Sequence, residues 1–387
     1  DEVAELPISS LTDDAPTYDR PRETERGLPL DDPLDKLPEP EDLGATLLKM
    51  LAHPNHGDKK PIWRQYDYKV RTNTVTLPGG DAAIIRLKGT HKALALTTDG
   101  NARYGMLDPY KGGILAVAEA ARNICCVGAR PLAITNCLNF GNPERPAVMA
   151  QFSSSIDGMA QACRSLGLPV VSGNVSFYNE THQVDIYPTP IIGMVGLLDD
   201  IQKRVGHGFA SQGDVIALIH PKDEAPLPHA CAHEYVWMET GREGGDAPSI
   251  SLDAEKAVQA ACRRGIEMDF VRSAHDLSEG GLGIALAESA LSSLKSGLGA
   301  EVWLPEQEGR LDGLLYGEAA SRILVSVSPQ SVNALQEAVQ SCGAELTRIG
   351  RVQEDAFVVK TPDNVPLIDL AMPDIVAAWS DALSEVL

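Results

Sequence analysis

The chain has 387 residues, of which 43% are hydrophobic, and its formal net charge at pH 7 is −21. This length favours two domains of ordinary size, and the hydrophobic content is ample for buried cores. The acidity argues against a nucleic-acid surface and against an anionic membrane as partners. No apolar run reaches the length of a membrane span, and the first residues show no signal-peptide core.

The seven cysteines are scattered along the chain and show no CxxC spacing. Most of them lie among apolar residues, as small core side chains do. An odd, scattered set suits a reducing cytoplasm better than a disulfide framework, so we expect a cytoplasmic protein. Cys137 lies in a polar segment, but the sequence identifies no partner base for a nucleophile.

The first 42 residues differ from the rest of the chain. They contain 14 acidic and 4 basic residues, many prolines and little periodicity. We interpret residues 1–45 as an acidic linker or arm. The start at Asp1, without Met, indicates a fragment or a processed product. The apolar patch Leu43–Leu51 predicts one helix.

Residues 46–208 predict a first α/β domain. Apolar residues at steps of three and four predict helices over Gly112–Gly128 and Val148–Leu166. Short β-branched or alternating runs predict the strands. The strands are expected at Tyr66–Val75, Ala82–Leu87, Ala93–Leu96, Pro131–Ile134, Val170–Val171 and Thr189–Leu198.

Residues 209–387 predict a second α/β domain. Its expected elements are the strands Val215–Ile219, Arg322–Ser328 and Thr347–Val352, the last of the domain, and the helices Leu252–Arg264, Gly281–Leu291 and Ser331–Cys342. The segment Ser273–Gly281 is the expected loop of interest. Ser278 is expected to cap the helix that follows, and its opening glycines could admit an anion. His275 and Asp276 are expected to face whatever lies above it.

Three polar segments follow apolar runs directly: Thr97–Asn101, Thr135–Asn142 and Ser172–Asn174. Small and polar residues of this kind predict turns. Ligands of α/β proteins gather where several strands end in such turns. The three segments together therefore predict one polyanion site, whereas any one of them alone would be read as an ordinary strand-ending turn.

The stretch Pro169–Glu180 is the centre of this hypothesis. Val170 and Val171 are expected to end a buried strand. A glycine at 173 would let the backbone approach a phosphate closely. The residues after it, Asn174 and Ser176, carry oxygens suited to a hard cation such as magnesium.

Five segments carry a family resemblance. They are TTDGNARY at Thr97–Tyr104, Lys111–Glu144, SGNVSFYNE at Ser172–Glu180, PTPIIGMVG at Pro188–Gly196 and AHDLSEGGL at Ala274–Leu282. Together they resemble phosphoribosylformylglycinamidine synthase, and more narrowly the second half of its synthetase subunit. The resemblance extends from Asp42 to Val352, in order and without large gaps.

The resemblance implies an α/β (α+β) fold of two domains similar to aminoimidazole ribonucleotide synthetase. The first would be a barrel-forming α/β domain and the second an α/β sandwich. The implied reaction converts formylglycinamide ribonucleotide to the amidine in purine biosynthesis. ATP activates the amide oxygen, ammonia displaces phosphate, and Mg²⁺ offsets the phosphate charge.

The resemblance also implies roles for individual residues. Gly173 and Asn136 fall on ATP contacts, Asn174 on a magnesium ligand and Ser176 on a substrate contact. Asn136 stands where the family usually has an aspartate, so the nucleotide contact there is expected to be altered. The family's catalytic histidines belong to the first half, and Thr97–Tyr104 contains none. We therefore expect no catalytic residue here and no activity from the isolated chain.

The other histidines, such as His53, His56 and His275, match no catalytic position, and we expect them to have ordinary surface or packing roles. The partners implied are the N-terminal half of the subunit, a glutaminase subunit and a small accessory subunit, and we expect self-association of the isolated chain. Two alternatives stay open. One is another ATP-using enzyme of the superfamily, such as selenophosphate synthetase or thiamine-monophosphate kinase. The other is a non-catalytic half that only binds nucleotide.

Overall fold

Two β-sheets, each backed by helices, organise the chain. The computed structural model describes residues 3–23, 33–227, 233–293, 297–306 and 309–383. Within those ranges, no helix combines the length and the apolar character needed to span a bilayer.

The N-terminal segment contacts the chain around Pro146, and from Leu34 onwards it belongs to the core of the second sheet. Residues 3–23 are mostly exposed, and the Glu23 amide donates to the Pro146 carbonyl at 3.2 Å. Leu34 is fully buried in the core of the second sheet. Helix α1 (Leu43–Leu51) confirms the predicted helix and packs in the same core. The predicted linker boundary at residue 45 thus falls inside a helix of the second core, and the domain limits remain a prediction.

The first sheet has the strand order β1-β2-β3-β8-β4-β5. Its strands are β1 (Thr74–Thr76), β2 (Ala83–Arg86), β3 (Ala93–Asp99), β4 (Arg130–Asn139), β5 (Val170–Ser176) and β8 (Thr189–Leu198), and a separate hairpin joins β6 (Glu180–Thr181) to β7 (Val184–Asp185). Only the β4–β5 pair of this sheet is parallel. Residues of β8 alternate between buried and half-buried, so one face of the sheet is covered and the other is open.

Helices cover one face of this sheet and confirm the predicted periodicity. They are α3 (Ala102–Leu107), α4 (Pro109–Cys126) and α5 (Pro146–Leu166); the short helix α2 (Lys60–Trp63) has no buried residue and precedes β1. Helix α4 begins earlier than predicted because Asp108 accepts from the amides of Tyr110 and Lys111 and so caps it. The buried side chains of α4 and α5 pack on those of β3, β4 and β8.

The strand prediction for Tyr66–Val75 is wrong over most of its length. Only the end of that stretch joins a strand, since β1 begins at Thr74. Arg71 and Thr72 have φ values of 54° and 55°, and this left-handed conformation breaks an extended chain. The alternation of apolar residues in the sequence does not indicate this left-handed turn.

The second sheet has the strand order β10-β12-β9-β13-β11-β14-β15. Its strands are β9 (Val215–Pro221), β10 (Val271–Asp276), β11 (Leu298–Trp303), β12 (Ile323–Val327), β13 (Ala344–Glu354), β14 (Ala356–Lys360) and β15 (Pro366–Ala371). Its helices are α6 (His233–Thr240), α7 (Leu252–Glu267), α8 (Gly281–Leu291), α9 (Leu311–Tyr316), α10 (Val332–Ser341) and α11 (Met372–Asp381).

Two separate cores lie on the two faces of the second sheet. Helices α7 and α10 pack on one face, and α1, α8, α9 and α11 pack on the other. This arrangement confirms the predicted sheet backed by helices. The prediction that the strand ending near Val352 is the last is wrong, because β14, β15 and α11 follow it. Strand β14 pairs with β11 and β15, and α11 packs in the same core as α1, so the burial of these elements depends on neighbours that are distant in the chain.

Candidate functional site

The four residues predicted to form a site all lie on two neighbouring strands. Strand β5 is an edge strand whose inner neighbour is β4. In their parallel register, Asn136 pairs with Gly173, and Asn139 pairs with Ser176. Asn174 lies between them, opposite Cys137. The sequence therefore placed these residues close together correctly.

The predicted turns, however, are strand. Residues Ser172–Asn174 continue β5, Thr135–Asn139 continue β4, and Thr97–Asp99 continue β3. The small polar side chains do not break these strands because the neighbouring strands satisfy their backbone groups. Val170 and Val171 do not end a buried strand either, since they are 52% and 68% exposed at the sheet edge.

The two faces of the edge divide the predicted residues. Asn136 shares its face with the buried Leu138, on the side that the helices cover. Gly173 points to the same face, where an added Cβ would lie 2.0 Å from Asn136 Oδ1 and 2.9 Å from its carbonyl oxygen. Asn174 and Ser176 point to the open face. The four residues thus border one edge but do not converge on one point.

The open-face pair differs in its hydrogen bonding. Ser176 Oγ lies 3.2 Å from Asn179 Oδ1, and Asn179 Nδ2 donates to the Ser176 carbonyl at 3.0 Å. Asn174 is exposed, and in the described parts of the chain its side chain has no hydrogen-bond partner. The Asn174 amide oxygen is consequently available to a ligand, whereas Ser176 is partly engaged.

The third predicted segment leads to a different place. Asp99, at the end of β3, lines a cavity of about 250 Å³ between the two sheets, which we call the interdomain cavity. Glu119, Asp276 and Glu279 also line it. Asn123 Nδ2 donates to Asp99 Oδ2 at 2.7 Å. Strands β8 and β4 lie between β3 and β5, so the third segment borders the interdomain cavity rather than the β5 edge, and a single site made by all three segments stays a prediction.

Burial perturbs the carboxyl groups of the interdomain cavity. Burial and the Glu279 charge raise the pKa of Asp99 to about 8. The pKa of Glu119 is raised well above its ordinary value for the same two reasons. Burial also raises the pKa of Asp276, to about 6, although Arg122 opposes this. Asp99 and Glu119 therefore retain protons near neutrality unless a cation enters, whereas Asp276, with its lower pKa, is largely ionised there.

Arg122 joins the two sheets beneath this cavity. Its guanidinium is 2% exposed, and it donates to Asp276 Oδ2 at 3.1 Å and to Glu255 Oε2 at 3.0 Å. Burial acts to lower its pKa, but Asp276 and Glu255 outweigh it and raise the pKa above the ordinary value. Arg122 therefore holds a fixed positive charge, which leaves Asp276 paired rather than free to face a ligand.

His275 makes a second contact between the two units. Its Nδ1 lies 3.1 Å from Asp81, and its Nε2 lies 2.9 Å from Glu288. Burial acts to lower the His275 pKa, but the two carboxylates raise it well above its ordinary value, so the ring is protonated at neutral pH. The expected cap of α8 by Ser278 is wrong, because Gly280 is the N-cap and its φ of 75° requires a glycine-like conformation.

Sequence reasoning missed most of the interdomain cavity. The sequence places Asp99 and Asp276 in predicted loops of interest, whereas it indicates Glu119 and Asn123 only as members of a helix. Their spacing of four residues on α4 puts both on one face, which is the signal that could have indicated them. In the described parts of the chain, no three His, Cys, Asp or Glu side chains are arranged to hold a metal ion.

Comparison with known proteins assigns the chain to a family. Residues 79–198 match the N-terminal domain of AIR synthase related proteins, and residues 211–360 match their C-terminal domain. The chain belongs to this two-domain family of synthetases, which confirms the resemblance and the fold class given by the sequence motifs.

Particular relatives narrow the match. The chain is 49% identical over 98% of its length to phosphoribosylformylglycinamidine synthase subunit PurL of Moorella thermoacetica, of which it spans about half, 51%. Structures of Thermotoga maritima PurL complexed with FGAR and with ATP have the same fold, at 20% identity and TM-scores of 0.69 and 0.65. The two matches cover 87% and 86% of this chain, and 54% and 51% of the respective T. maritima chains. The PurLQS structure from T. maritima has a TM-score of 0.59 at 25% identity. The match covers 92% of this chain and 48% of the T. maritima chain.

Proposed function

We propose that this chain is the second half of the synthetase subunit of phosphoribosylformylglycinamidine synthase. The full subunit would use ATP to convert formylglycinamide ribonucleotide to the amidine, with ammonia from glutamine. The observation that carries the proposal is the 49% identity to the Moorella PurL subunit across nearly the whole chain. The chain spans about half of that relative, so the activity requires the other half as well.

The edge strand β5 and its neighbour β4 supply the proposed ligand contacts. We assign Gly173 and Asn136 to ATP, Asn174 to Mg²⁺ and Ser176 to the substrate. The exposed, unbonded amide of Asn174 suits one position around a hard cation, which is bound by oxygen ligands. The remaining ligands would come from phosphate oxygens, water or the other half. A neutral amide gains less from Mg²⁺ than a carboxylate does, so binding by this half alone would be weak.

The proposed partners follow from the same edge. Among the described residues, strand β5 has an unpaired side, and no helix layer covers the face of the first sheet that carries Asn174. Pairing with the N-terminal half would cover both and complete the barrel. A glutaminase subunit would deliver ammonia and a small accessory subunit would join the complex; the T. maritima structure named PurLQS is in keeping with an assembly of several subunits. We place the protein in the cytoplasm, with six described cysteines free.

A second candidate function is a non-catalytic half that binds nucleotide. The interdomain cavity favours it, because it shares Gly79, Gly80 and His207 with an adjoining cavity of about 500 Å³. Trp63 and Trp379 line that second cavity. An apolar pocket beside a carboxylate-lined one suits a heterocycle joined to phosphates that bring their own cations.

The deciding experiment combines this chain with the N-terminal half of the Moorella subunit. The pair should release phosphate from ATP in the presence of formylglycinamide ribonucleotide, Mg²⁺ and ammonium chloride, and this chain alone should release none above a no-enzyme control. Turnover by the isolated chain would contradict the division of roles. An inactive pair that is folded and associated, with nucleotide bound to this chain, would favour the non-catalytic function.

A further inference from the structure

A larger cleft lies beside the interdomain cavity and is not used by the function proposed above. Its volume is about 690 Å³, and it opens between the α1–α2 connection, the β3–α3 turn and helix α6. We call it the Trp237 cleft. It is lined by Pro54, Asn55, His56, Lys59, Gly100, Asn101, Ala102, Arg103, Tyr187, Glu234, Trp237, Glu243, Ser278, Glu279 and Glu288.

One wall of the Trp237 cleft is a row of charged side chains centred on Arg103. Its guanidinium forms an ion pair with Glu234, and its Nε donates to Glu243 Oε1 at 3.1 Å. The guanidinium carbon of Arg103, Cζ, lies 4.3 Å from the centre of the Trp237 ring. Arg103 is thus held by two carboxylates and an aromatic face, so it does not offer a free positive charge to an anion.

Two buried polar atoms on this wall have no hydrogen-bond partner within the described residues: His56 Nε2 and Glu243 Oε2. Their side chains are only 6% and 9% exposed. The carboxylate oxygen Glu234 Oε2 lies 4.0 Å from His56 Nε2, which is too far for a hydrogen bond. Burying such atoms unsatisfied is costly, so the cleft offers a place for a group that donates hydrogen bonds.

The charge around the cleft also favours a donor. Burial lowers the pKa of His56 to about 4, so the ring is neutral near pH 7 and one of its nitrogens accepts. Four carboxylates line the cleft, against Lys59 and Arg103. Lys59 is engaged, since its ammonium donates to the carbonyls of Asn55 and Gly57 at 2.8 and 2.7 Å. His275 pairs with Glu288 at the border of the cleft. Even when this third positive group is counted with Lys59 and Arg103, the four carboxylates outnumber the cations.

We propose that the Trp237 cleft binds a small organic cation that carries a primary ammonium or guanidinium group. Its N–H groups donate to Glu243 Oε2 and, in the tautomer that carries its proton on Nδ1, to His56 Nε2; both atoms lack partners among the described residues. The aromatic rings of Trp237 and Tyr187 border the carbon chain of the ligand. A cation beside aromatic rings and carboxylates gains both electrostatic and cation–π energy, whereas an anion would be repelled.

The test uses the whole chain and three probes measured by titration calorimetry at pH 7. Putrescine carries two ammonium groups, butanediol has the same carbon chain without charge, and inorganic phosphate is an anion of similar size. Saturable binding of putrescine, with at least about ten-fold weaker binding of butanediol, is expected from the loss of charge-assisted hydrogen bonds. No putrescine binding, or equal binding of butanediol or phosphate, would overturn the proposal.

Variants then locate the site. Glu243→Gln should weaken putrescine binding about ten-fold by removing one charged acceptor, a loss of about 1.4 kcal/mol. His56→Phe should also weaken it while keeping a ring in place. Glu337→Gln, on the exposed face of α10, is the matched control and should leave binding unchanged. If both cleft variants fold, as circular dichroism would show, and bind putrescine like the unaltered chain, the Trp237 cleft is not the site.

Discussion

The missing side chain at Gly173 serves the neighbouring strand as much as any ligand. Asn136 occupies the space that a Cβ at position 173 would need, and its carbonyl oxygen is also close. A larger residue there must displace strand β4 before it meets a phosphate. Substitutions at Gly173 therefore test packing and nucleotide contact together. A second substitution that changes the ligand contact without disturbing the packing is needed to separate the two effects.

Asn174 provides that companion, because its exposed side chain makes no hydrogen bond among the described residues. In the chain joined to the N-terminal half, Asn174→Ala should weaken ATP binding about ten-fold with Mg²⁺ and little without it, since it removes the metal ligand proposed above. Gly173→Val should abolish binding in both conditions.

Calorimetry with ATP, in Mg²⁺ and in EDTA, measures both effects, and circular dichroism checks the fold. Unchanged Mg-ATP binding in two folded variants would show that β5 has only a structural role.

Asp99 should make stability depend on pH. Burial and Glu279 raise its folded pKa to about 8, against 3.8 for the ordinary group. Between these values the folded state holds a proton that the unfolded state releases, so the free energy of unfolding falls as pH rises towards 8. Asp99→Asn should remove this contribution and lose less stability between pH 6 and pH 8.

Urea unfolding at several pH values gives the comparison. Asp157→Asn, an exposed substitution on α5, is the control and should parallel the unaltered chain. If the Asp99→Asn curve also runs parallel to it, the pKa of Asp99 is not raised in the folded protein.

At the scale of elements, the edge strand β5 is the feature with the clearest consequence. It exposes Val170, Val171 and Val175 beside a row of unpaired backbone groups, and such edges pair with other chains. We expect the isolated chain to self-associate through it. Val171→Lys should shift the chain towards monomer, because a lysine on an edge opposes strand pairing.

Light scattering at micromolar concentration measures this shift. Val365→Lys, which changes a comparably exposed valine next to β15 of the second sheet, should not alter the mass. A monomeric mass for the unaltered chain would contradict the prediction outright.

Elements were predictable where their pattern is local. Leu43–Leu51 and Thr189–Leu198 have the predicted bounds, because the apolar residues that define each element lie within a single segment. Ser172–Asn174 has the composition of a turn, and only pairing with β4, more than thirty residues earlier, makes it strand. Likewise Arg122 and Asp276 lie 154 positions apart, so no local pattern could reveal their ion pair.

For the whole molecule, the buried contacts of Arg122 couple the two units. The residue lies on α4 of the first sheet, while Glu255 and Asp276 belong to the second. Arg122→Leu would leave two carboxylates buried without their cation, which should destabilise the protein by about 3–5 kcal/mol. The two units should then unfold in separate steps rather than together.

Urea unfolding followed by fluorescence and by circular dichroism reports this, since the two signals should no longer coincide. Lys203→Met breaks only an exposed pair with Asp269 and should cost no more than about 1 kcal/mol. A loss of that size for Arg122→Leu, with coincident transitions, would contradict the coupling.

The insertion of α1 into the second core has a consequence for synthesis. Leu47 and Leu51 of α1 are buried against α8, β15 and α11, and α11 begins only at Met372. A ribosome adds about 5–20 residues per second, so this apolar helix waits roughly 15 to 60 s for its final neighbours. During that interval chaperones can bind the exposed apolar face of α1. The first sheet lies between α1 and α11 in the chain, so it can fold before these two helices meet.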